Sequence, residues 1–413
     1  MVKFEKFELE NGLKVILNQD DQAPLVAFNV LYNVGSRNED PQKTGLAHLF
    51  EHLMFTGTKM APDFDTPIQM AGGENNAFTN TDITNYYIMV PSENLEIACW
   101  LEADRMEHLK LGKRAFDVQK KVVLEEFKET TLNKPFGDVW HHISDMCYKI
   151  HPYKWPTIGL VPEHVKAITR EDAISFYETH YQPDNAIISV SGQFNMTETV
   201  SMIRKWFGSI KNSSRLSVNQ VLQDEMLFSG AQNREVLADV PNDAVFLAYK
   251  MPGRAHPDYY AFDLMSDILG RGRSSRLHQR LVKELSLFSN ATAYITGTVD
   301  PGLFVVEGNL MKKVSPEEGV KAFEKELEQL KQEKIPLEEL EKLKNKMESS
   351  ILFSETNISN KAMNLAQYEL LGDADMINTQ VELYRAVSAE DIQRVANEIF
   401  VPENCSTLLY LKK

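Results

Sequence analysis

Two stretches of the chain, 168–192 and 387–411, align without a gap at an offset of 219 residues. The first reads ITREDAISFYETHYQPDNAIISVSG and the second VSAEDIQRVANEIFVPENCSTLLYL, so Asp172 falls on Asp391, Pro183 on Pro402 and Asn185 on Asn404. Each stretch has the pattern of an N-capped amphipathic helix, a Pro-x-Asn turn and a β-rich run. One such unit in each half is the mark of an internal duplication. It predicts an α+β protein of two similar domains, each a mainly antiparallel sheet packed with helices.

The front ends of the halves agree more loosely. PLVAFNVLYNVGS before a helix in the first half resembles AVFLAYKMPG before DYYAFDLMSDILG in the second. Residues 208–232 are polar and rich in Ser, Asn and Gln, as a linker should be, which sets the expected domains at 1–207 and 233–413. The run from Ser315 to Ser349 reads as two surface helices broken at Pro336.

A net charge of −15 argues against nucleic acid or an anionic membrane surface as a partner. Cys99, Cys147 and Cys405 are widely spaced and odd in number, which fits buried thiols better than a disulfide framework. The N-terminus MVKFEKFELENGLKVIL shows no apolar signal region, and nothing reaches about 18 consecutive apolar residues. The expected location is cytoplasmic, or periplasmic or organellar if a leader has been removed.

The chemistry is concentrated in GLAHLFEHLMFTGT, residues 45–58. At helical spacing Leu46, Leu49, Phe50 and Leu53 share a core-facing stripe, while His48, Glu51, His52 and Phe55 share another face. Two imidazoles one turn apart on one face can share a zinc ion. By contrast, His141 and His142 are adjacent, so their side chains diverge by about 100° and suit no shared ion.

A zinc site needs a third protein ligand, and RAFDVQKKVVLEEFKET, residues 114–130, is the best source. Its periodicity predicts a buried stripe of Ala115, Val118, Val122 and Val123 continued by Glu126, with Lys120, Lys121, Glu125 and Lys128 toward solvent. A carboxylate buried there has to be paired or metal-bound. Glu129, one turn on, is the competing candidate. Zinc lowers the pKa of a bound water to about 7. Glu51 sits where it can deprotonate that water without being a ligand, and peptide hydrolysis follows.

GLAHLFEHLMFTGT, GGENNAFTNTDITNYY, KVVLEE and HPYKWPTIG, in that order, make the chain resemble the pitrilysin/insulinase family of inverted-zincin (HxxEH) peptidases over essentially its whole length. Its length suits the branch that includes the mitochondrial processing peptidase, whose chains work as dimers. The resemblance implies His48, His52 and Glu126 as ligands of one Zn2+ per chain and Glu51 as catalytic base. It implies Asn76, Ala77 and Phe78 as the edge along which a peptide substrate pairs as an added strand.

Two departures stand out. Gln119 occupies the place of a family glutamate seven residues before the ligand, in the shell around the metal. The family's Arg/Tyr pair in the second domain, which grips the substrate carbonyl, falls on Val282 and Ser289, and neither can do that job. Nearby Arg276 and Arg280 are expected to face solvent or their own core. The resemblance therefore implies a zinc-bearing subunit with a homologous partner supplying the Arg/Tyr pair, a homodimer being the simpler arrangement. The competing function is a non-catalytic structural or assembly subunit of the same fold.

Overall fold

The computed structural model describes residues 1–22, 24–213 and 230–413. The first sheet is built from β1 (Glu5–Glu8), β2 (Lys14–Gln19), β3 (Leu25–Tyr32), β4 (Glu74–Thr79), β5 (Thr84–Pro91) and β6 (Ala186–Gly192), in the order β1-β2-β6-β3-β5-β4. The second is built from β7 (Asn233–Ala238), β8 (Ala244–Met251), β9 (Phe288–Ile295), β10 (Gly302–Leu310) and β11 (Cys405–Lys412), in the order β7-β11-β8-β10-β9. Without the edge strand β1 the two orders are the same. In each sheet one pair is parallel, β2 with β6 and β7 with β11, and every other pair is antiparallel.

The matched residues of the repeat do matched work. Thr169 caps the helix Arg170–His180 in a reciprocal box with Asp172, and Ser388 caps Ala389–Ile399 with Asp391. Pro183 and Pro402 open the tight turns that follow. The Asn185 amide donates to the carbonyls of His180 (2.8 Å) and Asn33 (3.2 Å). The Asn404 amide donates to those of Ile399 (3.0 Å) and Lys250 (3.0 Å). Each asparagine ties a helix end to the sheet, satisfying carbonyls that the helix leaves open.

Strand alternation gives each sheet two apolar faces, and both are covered. In the first, Val26, Phe28, Val30 and Val190 face Leu49, Phe50, Leu101 and Ile203 of the helices Leu46–Leu53, Leu95–His108 and Met196–Phe207. The opposite face is covered from far along the chain. Leu365 and Ala366 of Ile358–Leu370 pack on Ile16, Leu31 and Ile187, and Ile358 and Ala362 on Ala27. In the second sheet Val245, Leu247 and Phe304 meet Phe262 and Val395, while Phe246, Ala248 and Val305 meet Val139, Ile143 and Met146 of Val139–Cys147.

Compact units and sequence halves are thus not the same division. One unit holds Met1–Lys128, the segment beginning at Trp155, and Leu352–Thr379; the other holds Glu129–Lys154, the segment ending at Ile351, and Gln380–Lys413. Each half lends the other's sheet the helix that covers its second face. Of the linker, 214–229 lie outside the described residues, and Ile210 is buried in the first core. Pro336 lies between the helices Pro316–Gln332 and Leu337–Ser354. Cys99 and Cys147 are buried thiols and Cys405 a half-buried one. Among the described residues no helix is long and apolar enough to cross a membrane.

Candidate metal centre

The helix Leu46–Leu53 buries Leu46, Ala47, Leu49, Phe50 and Leu53. Phe50 stacks into an aromatic cluster, its ring centroid 4.4 Å from that of Tyr181. With that stripe fixed in the core, His48 and His52 are carried on the other side, and their Nε2 atoms are 3.4 Å apart.

The helix Lys113–Phe127 packs against it. Its buried residues are Phe116, Val123 and Phe127; of the predicted stripe only Val123 is buried, Ala115 is half-buried, and Val118 and Val122 are exposed. The two phenylalanines bury more apolar area than the valines and set the helix rotation. Lys120, expected in solvent, is half-buried and donates to the carbonyls of Lys166 (2.9 Å) and Ile168 (2.9 Å). Glu126 therefore lies on the open face with Val122, its side chain 38% exposed, rather than on a core stripe. Its Oε2 is 3.7 Å from His48 Nε2 and 3.6 Å from His52 Nε2. Glu129, exposed on the following turn, does not join the group.

Four-coordinate zinc with bonds of about 2.0–2.2 Å needs ligand atoms roughly 3.3–3.6 Å apart. Edges of 3.4, 3.6 and 3.7 Å match one face of such a tetrahedron, so the donor set fits the ion. Burial and the neighbouring His52 charge push the His48 pKa down to about 4, which keeps its imidazole neutral with a lone pair to give. Its Nδ1 is buried without a hydrogen-bond partner among the described residues, so packing rather than a second hydrogen bond orients the ring. Among the described residues no other group of three His, Cys, Asp or Glu side chains could hold a metal.

Glu51 is half-buried between the two histidines in sequence, and its charge is felt by His48 and by the buried hydroxyls of Tyr86 and Tyr181. Gln119, half-buried, lies two turns before Glu126 and lines a cavity of about 420 Å³ with Thr56, Ala115 and Val118. Asn76, Ala77 and Phe78 are on β4, an edge strand of the first sheet among the described residues, which runs beside the histidine helix. The Ala77 N–H donates to the Asn76 side chain at 2.8 Å, and the Phe78 ring is exposed.

In the second unit several side chains that the sequence singles out are held locally. Val282 packs on the second core and Ser289 Oγ donates to the Asn309 carbonyl at 3.2 Å. Arg276 makes a bidentate pair with Glu339, and Arg280 pairs with Glu284. His142 lies 3.2 Å from the Asp138 carboxylate, and His151 is buried, accepting the Tyr153 N–H at 3.1 Å.

The sequence reading missed what lies under and before the histidine helix. Glu102 and Arg105, one turn apart on Leu95–His108, form a fully buried bidentate pair. The guanidinium lies 4.2 Å from the Tyr86 ring centroid and 4.5 Å from that of Phe64. Desolvation holds the Glu102 pKa above the usual carboxylate range. Only the i,i+3 charge spacing in LEADRM hints at this pair, and surface helices show the same spacing. Glu39, buried at the start of the histidine helix, carries no motif signal either.

Comparison with known proteins adds the relationship. Residues 14–159 match the family described as insulinase (peptidase family M16), and 167–347 match the peptidase M16 inactive domain. The zinc protease PqqE of Helicobacter pylori is 34% identical over 420 residues, covering 99% of this chain and 93% of that protein. A probable mitochondrial-processing peptidase subunit beta of Arabidopsis thaliana is 26% identical over 405 residues, covering 94% and 75%. The crystal structure of a protease from Helicobacter pylori superimposes with a TM-score of 0.95 at 32% identity, with complete coverage of both chains. The chain belongs to the insulinase family, peptidase family M16.

Proposed function

We propose that the protein is a zinc endopeptidase acting on peptides or short unfolded segments in an enclosed chamber. The observation that carries this reading is the triangle of His48 Nε2, His52 Nε2 and Glu126 Oε2, with edges of 3.4–3.7 Å. His48, His52 and Glu126 would hold the ion; when bound, zinc supplies a Lewis acid that polarises a peptide carbonyl and acidifies the attacking water. The Glu51 carboxylate accepts a proton from that water and delivers it to the departing amide nitrogen. The open edge of β4 offers backbone groups to an extended peptide, which binds with little demand on its sequence. Dialysis against a chelator is expected to abolish cleavage of unfolded peptides, and one equivalent of Zn2+ per chain to restore it. Cleavage that persists at full rate in metal-free protein would refute the reading.

The proposal extends to a partner. With Val282 packed against the second core and Ser289 bonded to a carbonyl, neither family position offers a cation or a phenol to the substrate. A homologous subunit carrying the Arg/Tyr pair would complete the site as a heterodimer. Removing a carbonyl-stabilising donor typically costs 10²–10³-fold in kcat, so the isolated chain should be slower than the pair by about that factor. Peptide assays of the chain alone and after co-purification with its partner check this. Full activity in a homodimer of this chain would contradict it.

A further inference from the structure

Gly45, which starts the histidine helix, cannot cap it. Its φ of +92° lies in the left-handed region, and a Cβ there would meet the Ile158 carbonyl at 2.9 Å. With no side chain at that position, the first backbone N–H groups need a partner from elsewhere. Glu39 provides one from six residues upstream. Its Oε2 accepts the Gly45 N–H at 2.9 Å and its Oε1 the Ala47 N–H at 2.7 Å, both bonds being buried. Both acceptor oxygens also lie at the positive end of the helix dipole.

The loop that carries Glu39 is itself held. The Trp155 indole N–H donates to the Ser36 carbonyl at 2.9 Å. Thr44 Oγ1 accepts the Leu160 N–H at 2.8 Å and lies 3.0 Å from His164 Nδ1. The WPTIG stretch, which the peptidase chemistry does not use, thus forms the frame behind the helix start. Glu39 reaches from that frame to Ala47, the residue immediately before His48.

We infer that Glu39 is a positioning residue for the metal centre: by clamping the Gly45 and Ala47 N–H groups, it fixes where the first turn places the His48 ring. The inference rests on His48, His52 and Glu126 being the metal ligands. A carboxylate that only stabilised the fold would behave like any other helix cap, whereas a positioning carboxylate sets the ligand geometry as well.

The test compares Glu39→Gln with Thr169→Ala, which removes the cap of a ligand-free helix in the same unit. Zn2+ affinity is measured by competition with a chelator, and ligand geometry from the visible absorption of the Co2+-loaded protein. Glu39→Gln is expected to weaken Zn2+ binding by about 10–100-fold, as loss of a supporting contact around a metal typically does, and to alter the Co2+ bands. Its kcat should fall with KM little changed. Thr169→Ala should lose comparable thermal stability yet keep wild-type affinity and spectrum. If Glu39→Gln does not fold, Trp155→Phe loosens the same frame and should weaken Zn2+ binding severalfold. Wild-type affinity and spectrum in Glu39→Gln, or in Trp155→Phe where only that variant folds, would overturn the inference. A wild-type protein that binds no Zn2+ would instead sink the metal reading on which it rests.

Discussion

Glu51→Gln is expected to abolish peptide cleavage while leaving the zinc in place. The substitution keeps the size of the side chain and removes its ability to take a proton. General acid–base groups contribute typically 10²–10⁴-fold, so kcat should drop by about that factor. Glu51 is not one of the three atoms forming the ligand triangle, so metal content should remain near one ion per chain. Its half-buried position, on the helix that carries both histidines, means the variant should also fold as the parent does. Metal analysis and peptide assays on the same preparation check both halves of this expectation. Loss of zinc together with activity would mean Glu51 holds the ion. Retention of activity would remove it from the reaction.

Arg105→Ala is expected to cause a large loss of stability. The Arg105 side chain is 1% exposed and Glu102 wholly buried, so the substitution strands a carboxylate in the core of the first unit. Breaking a buried pair from one side costs about 3–5 kcal/mol. The lost stacking on Tyr86 and Phe64 adds to it. For a unit of this size the melting midpoint should fall on the order of 10 °C. Replacing both members, as in Glu102→Leu with Arg105→Met, removes the uncompensated charge and should recover much of the loss. A double-mutant cycle followed by thermal melting measures the coupling. Single and double variants of equal stability would show that the pair contributes nothing beyond its packing.

Local pattern revealed the elements that are fixed locally. The repeat identified Asp172 with Asp391 and Asn185 with Asn404, and these residues make the same capping and turn bonds in both halves. The stripe of Leu46, Leu49, Phe50 and Leu53 depends only on helical spacing, and all four are buried. The helix carrying Glu126 shows where periodicity fails. Val118 and Val122 are apolar and correctly spaced, yet Phe116, Val123 and Phe127 take the core and leave the valines on the open face. Periodicity counts apolar positions but does not weigh their areas, and exposure beside a prospective ligand looks the same as burial. The exchange of Val139–Cys147 and Ile358–Leu370 between the sheets was beyond a local reading for another reason. Each helix has an ordinary apolar stripe, and nothing in a stripe names the sheet that will receive it. Glu39 was invisible because its role is set by the missing side chain of Gly45, six residues away.

Diffraction data collected from zinc-loaded crystals on both sides of the zinc absorption edge test the metal centre most directly. The expected result is a single anomalous peak per chain, about 2.0–2.2 Å from His48 Nε2, His52 Nε2 and a Glu126 carboxylate oxygen. A peak held by other residues, or none at this triangle in protein that cleaves peptides, would contradict it.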